Sequence, residues 1–202
     1  MMINTKKKYL TTRRITIIGV MTALIIALNL ANVGIINLNF IGLPISVTIL
    51  HIPVIIGAIL EGPLVGAILG LFFGMSSLLS AIYRPDALGI WIMFLNPLVS
   101  IIPRILIGIT TYYTYRFIKI KNETIRVGAA AAIGTMTNTI GVLLAIYLIY
   151  AQQFLKAIGM VESNAAIAIG GVALTNGVPE LIFSVIICIP IILIKSPYKA
   201  KK

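Results

Sequence analysis

Apolar runs separated by short polar or basic links repeat along the chain at a length that suits helices crossing a bilayer. They cover residues 15–33, 49–60, 64–80, 91–115, 127–150 and 165–194. An apolar run of about 18 residues or more can cross the hydrocarbon core as a helix. Backbone groups in lipid must pair within their own segment, so helices are predicted rather than open strands. The pattern therefore predicts an all-α integral membrane protein with six transmembrane helices, forming a single domain over residues 1–202. The second run is short and stops at Glu61-Gly62-Pro63. Residues 34–48, punctuated by Gly, Asn and Pro, predict an external loop folding back toward the protein. No second domain, heptad repeat or low-complexity tract is visible.

Composition agrees with lipid as the solvent. Hydrophobic residues make up 59% of the chain and charged residues 10%, against about 25% charged in a soluble domain. The net charge of +11 does not point to nucleic acid, because Lys and Arg sit in short flanks between apolar runs. Their placement orients the chain instead. With six spans and a cytoplasmic N-terminus, thirteen of the 16 basic residues fall on the cytoplasmic side, together with the C-terminus. Arg84 and Lys156 fall outside, and Arg104 falls within the membrane. Trp91, Tyr147 and Tyr150 then sit at the outer interface, where aromatic belts form. The basic start resembles a signal peptide, but residues 15–33 exceed the roughly 7–15 residues of a signal core and read as a retained span. The lone Cys188 excludes a disulfide framework and gives no metal site.

Small residues recur every fourth position on two spans. Gly19, Ala23, Ala27 and Ala31 form one ridge, and Gly66, Gly70 and Gly74 another. Such ridges let helix backbones approach closely in lipid. The first serves either internal packing or the docking of another membrane subunit; the second is expected to pack internally. Asn96, Ser100 and Arg104 lie four apart on the fourth span, flanked by Pro97 and Pro103, which are expected to loosen the helix. On one continuous helix Arg104 would sit about 12 Å deeper than Asn96. An arginine at mid-membrane costs about 2.5–3.5 kcal/mol on insertion scales, so it needs a partner or a cavity. A guanidinium reached from outside suits a carboxylate or phosphate ligand. The sixth span carries Asn176, Glu180 and Ser184, again four apart. Glu180 and Arg104 either pair with each other or line a site together. Asn138, with Thr135 and Thr139, serves interhelical hydrogen bonding or ligand binding. His51 opens the second span on the side where a solute enters, and Trp91 is an interface anchor or a stacking platform.

The sequence contains no P-loop motif and no nucleophile–base set. One Glu and one Arg make a poor proton relay for a secondary carrier. Binding is the expected role, with energy supplied by other subunits; an autonomous carrier and a small membrane enzyme are the competing classes.

The segments "HIPVIIGAILEGP" and "NPLVSIIPRILIG", with the region from about Ile45 to Gly108 around them, resemble the substrate-binding S-components of energy-coupling factor (ECF) transporters, most closely the pantothenate-type members. "TNGVPELI" in the sixth span has the same look. The resemblance implies a subunit that captures a vitamin from outside the cell and partners a transmembrane T-component and two cytosolic ATPases. It implies that ATP is used by those partners, with no cofactor in this chain, and that Ala23, Ala27 and Ala31 contact the T-component. Pantothenate carries one carboxylate and several hydrogen-bonding groups. Arg104 would suit the carboxylate, and Asn96, Asn138 and Asn176 the hydroxyls and amide. The pocket is expected to be poor in aromatics, which disfavours flat-ringed vitamins such as riboflavin, thiamin or folate; riboflavin, hydroxymethylpyrimidine or pyridoxine, and folate remain the alternative cargoes.

Overall fold

A computed structural model describes residues 11–31, 35–37, 46–85, 89–159 and 164–195. Lys6, Lys7, Lys8, Lys199, Lys201 and Lys202, used to orient the chain, the end of the first run, Asp86 and parts of the links at 34–48 and 151–164 lie outside the described residues.

Helix α1 spans Thr12–Leu30, its first turn capped by the Thr11 hydroxyl, which accepts from the Arg14 N–H. Two short strands follow, β1 (Ile35–Asn37) and β2 (Ser46–Thr48). They pair antiparallel, with Ile35 opposite Thr48. This ladder was not anticipated. It gives backbone groups beside a lipid-facing bundle partners of their own, the constraint that favours helices elsewhere in the chain.

Helix α2 (Ile52–Glu61) turns sharply into α3 (Pro63–Tyr83) through Gly62, whose φ of 102° favours glycine. Helix α2 is short because it lies inside the bundle. Nearly all its residues are buried, and it touches α1, α3 and the later helices α6 (Ile102–Phe117), α7 (Glu123–Ala157) and α8 (Ala165–Lys195). Helix α7 covers Glu123–Ala157 and breaks at Tyr150, seven residues before its end.

The run 91–115 is not one helix. It is divided into α4 (Trp91–Phe94), α5 (Pro97–Ser100) and α6. Pro97 pushes Asn96 into an extended conformation (φ −81°, ψ 121°). The Asn96 side chain then accepts the Leu98 N–H at 3.0 Å, and the Phe94 carbonyl takes the Ser100 hydroxyl instead. Asn96, Ser100 and Arg104 therefore do not form the single helical stripe expected of them.

Glycines of α3 meet α6 backbone to backbone. A Cβ on Gly66 would lie 2.8 Å from Gly108 Cα, and one on Gly74 would lie 2.7 Å from Ile101 Cα. This is the internal packing expected of that ridge. The pairing also shows that α3 and α6 run antiparallel, so the Gly62 corner and the end of α6 share one end of the bundle. At that end Arg13 and Arg14 hold Glu61 at 2.9 and 3.6 Å, and Arg126 holds Glu123 at 2.9 Å.

Four helices, α1, α3, α7 and α8, are long and apolar enough to cross a membrane. Their outward faces expose large apolar side chains, among them Val20, Leu148, Leu174 and Ile186, a belt suited to lipid and unsuited to water. Only Ile25 of α1 is fully buried. The helix lies on the outside of the bundle.

Candidate functional site

At the end opposite Gly62, the last turns of α1 and α3, the exit of β2, α4 and the start of α6 enclose a cavity of about 280 Å³. Arg104, Arg84 and Trp91 line it together with Asn29, Ser77 and Ser80. Phe73, Phe94, Thr48, Leu50 and Ala81 complete the wall.

The position of Arg104 follows from the proline before it. In an unbroken helix the N–H of residue 103 would donate to the Val99 carbonyl. Pro103 has no N–H, and Arg104 Nη1 takes that carbonyl at 2.6 Å. The guanidinium lies over the rings of Phe73 and Phe94, 5.4 and 5.6 Å from their centroids, a geometry in which ring quadrupoles attract a cation. Arg104 is only 6% exposed, and its Nε has no hydrogen-bond partner among the described residues. No carboxylate of the described residues lies within ion-pair distance. The result is a buried cation with unused donor capacity on a cavity wall.

Glu180 does not pair directly with it. Its Oε1 accepts the Thr48 N–H at 2.9 Å and its Oε2 the Thr139 hydroxyl at 3.1 Å. Arg104 and Glu180 form no direct ion pair in this structure. The cause is local: each charge finds nearer hydrogen-bonding partners.

Of the other residues singled out from sequence, Trp91 lines the cavity. His51, Asn96, Asn138, Asn176 and Glu180 stand outside its lining. His51 is wholly buried, 3.0 Å from the Thr135 hydroxyl. Asn96 caps α5 and donates to the Tyr150 hydroxyl at 3.3 Å. Asn138 is buried with its Oδ1 unpartnered, and Asn176 is half-buried on α8 and engaged with neighbours. Gly19, Ala23, Ala27 and Ala31 lie exposed on α1, so this ridge does not pack inside the protein.

The family model for the substrate-specific component of ECF transporters matches residues 13–192. The chain belongs to this family. It is 30% identical over 190 residues to the pantothenic acid transporter PanT of Lactococcus lactis subsp. cremoris, covering 88% of this chain and 91% of that protein. It is 30% identical over 144 residues to the pantothenate transporter PanT of Leuconostoc mesenteroides subsp. mesenteroides, covering 69% and 70%. Like the family, it is a multi-pass membrane protein.

Several lining residues of this S-component escaped sequence reasoning. Asn29 donates to the Ser76 carbonyl at 3.1 Å and the Ser80 hydroxyl at 2.8 Å, tying α1 to α3. Arg84 caps the end of α1, its Nη1 donating to the Asn29 carbonyl at 3.0 Å and its Nη2 to that of Leu30 at 2.5 Å. The available signal was the cluster Ser76, Ser77 and Ser80 in the outer turns of an otherwise apolar helix. Phe73, Phe94 and Trp91 also correct the expectation of a pocket poor in aromatics.

Proposed function

We propose that this S-component captures pantothenate from outside the cell for an ATP-driven importer, with Arg104 as the anchor for the carboxylate. The observation that carries the reading is the buried guanidinium on the cavity wall, with an unpartnered Nε and no carboxylate partner among the described residues. Its planar fork complements a carboxylate. The hydroxyls of Ser77 and Ser80 suit the hydroxyl and amide groups of the same solute. The names of the two relatives support the choice of vitamin. Asn96, Asn138, Asn176, His51 and Glu180 then act from behind the wall, and Trp91 covers the apolar part of the ligand.

In this reading the chain crosses the membrane six times, with both termini in the cytoplasm. The four long helices count as four spans, central α2 as a fifth, and α4, α5 and α6 together as a broken sixth. The partners are a transmembrane T-component and two cytosolic ATPases, which hydrolyse the ATP; this chain is not an enzyme. The exposed ridge of Ala23, Ala27 and Ala31 is the T-component's contact.

The aromatic wall favours one competitor, a vitamin with a flat ring that stacks on Trp91. Calorimetry on the purified chain against a panel of vitamins separates the two. Sub-micromolar binding of pantothenate without partner or ATP is expected; selective binding of riboflavin or thiamin would replace pantothenate as the cargo.

A further inference from the structure

Glu180 is a buried acid that neither touches the cavity nor pairs with Arg104. It meets the outer site at Thr48, through the backbone N–H and the side chain. Thr48 lines the cavity beside Leu50 and Arg104, and the Thr48 N–H donates to Glu180 Oε1 at 2.9 Å. Strand β2 has β1 as its only strand neighbour among the described residues, so its other edge needs acceptors from elsewhere in a site shielded from water. Helix α8 lies against that edge and supplies one through Glu180. The second carboxylate oxygen is fixed by Thr139 of α7 at 3.1 Å, which orients the first.

We propose that Glu180 is a positioning residue: by accepting the Thr48 N–H it holds β2 against α8 and so sets one wall of the cavity. The inference rests on the reading of that cavity as the substrate site. It assigns Glu180 a hydrogen-bonding task in which its charge is secondary. A glutamine offers the same acceptor oxygen, whereas an alanine leaves the strand edge unsatisfied.

The test uses the full chain in detergent and the variants Glu180→Ala, Glu180→Gln and Thr139→Val. Two quantities are read: amide hydrogen exchange in the peptide carrying Thr48, without ligand, and affinity for pantothenate with its dissociation rate. Glu180→Ala is expected to speed exchange at Thr48 and weaken binding about 10- to 100-fold, mostly through faster dissociation. Glu180→Gln should stay within about 3-fold of wild type in both, and Thr139→Val should fall between. The proposal is overturned if glutamine is as damaging as alanine, or if exchange at Thr48 is unchanged in Glu180→Ala. Should the alanine variant not fold, Thr139→Val must exchange faster than Glu180→Gln, and the reverse order overturns the proposal. If wild type fails to bind pantothenate while exchange follows the expected order, the choice of substrate falls and the positioning role stands.

Discussion

Arg104 is held by what its neighbours lack. Pro103 withholds an N–H from the Val99 carbonyl, and the guanidinium fills that vacancy at 2.6 Å while two phenyl rings shield its faces. One donor group is thereby committed to the backbone; in the proposed reading the remainder of the fork serves the ligand. A hydrogen bond to a charged group is worth about 1.5–3 kcal/mol. Arg104→Ala should therefore weaken pantothenate binding by about 10- to 100-fold, while binding of the neutral alcohol pantothenol changes far less. Calorimetry on both ligands checks this, and equal losses would make Arg104 a structural residue. Lysine is not expected to rescue the loss, because a point charge cannot serve the Val99 carbonyl and a carboxylate as a fork does.

Among the elements, the α3–α6 pair depends on missing side chains. A methyl on Gly70 would strike the Arg104 carbonyl, and one on Gly108 the backbone of Gly66. Gly70→Ala or Gly108→Ala should cost about 1–3 kcal/mol through overpacking, seen as a lower unfolding temperature in detergent. The same substitution at Gly19, which has open space around it, should leave that temperature unchanged. This contrast marks what was legible in the chain. The spacing of Gly66, Gly70 and Gly74 announced a close approach, and Pro97 and Pro103 announced a weakened helix. The break into three pieces was not legible, because it depends on the Asn96 side chain winning the Leu98 N–H from the helix ladder. The hairpin escaped for a different reason. Strands of three residues leave no periodicity to read, and their partners are set by tertiary contact. The cavity was half legible for the same cause. Arg104 and Trp91 stood out as types, but Asn29, Ser77, Ser80 and Arg84 come together only when the ends of α1 and α3 meet.

For the whole molecule, the predicted orientation can be checked with single thiols. The native Cys188 is fully buried, so a Cys188→Ser background reports only what is added. Tyr83→Cys should react with an impermeant maleimide from outside intact cells, and Phe117→Cys only after the membrane is opened. Both positions are well exposed, at opposite ends of the bundle. Labelling of both from one side would refute the six-span topology. Docking is tested separately. Ala27→Glu, on the lipid-exposed ridge of α1, should prevent co-purification with a T-component and leave vitamin binding intact. Loss of both would return the ridge to a structural role. The glycine seam between α3 and α6 has one more consequence, which concerns stiffness. The Arg104 backbone is part of that seam, so the cavity's cation is fixed to a frame in which two main chains touch and neither can slide. The facing walls are joined through side chains instead: Asn29 and Arg84 tie α1 to α3, and Glu180 accepts the Thr48 N–H of β2. The cavity therefore holds its cation on a wall where two main chains meet with no side chain between them.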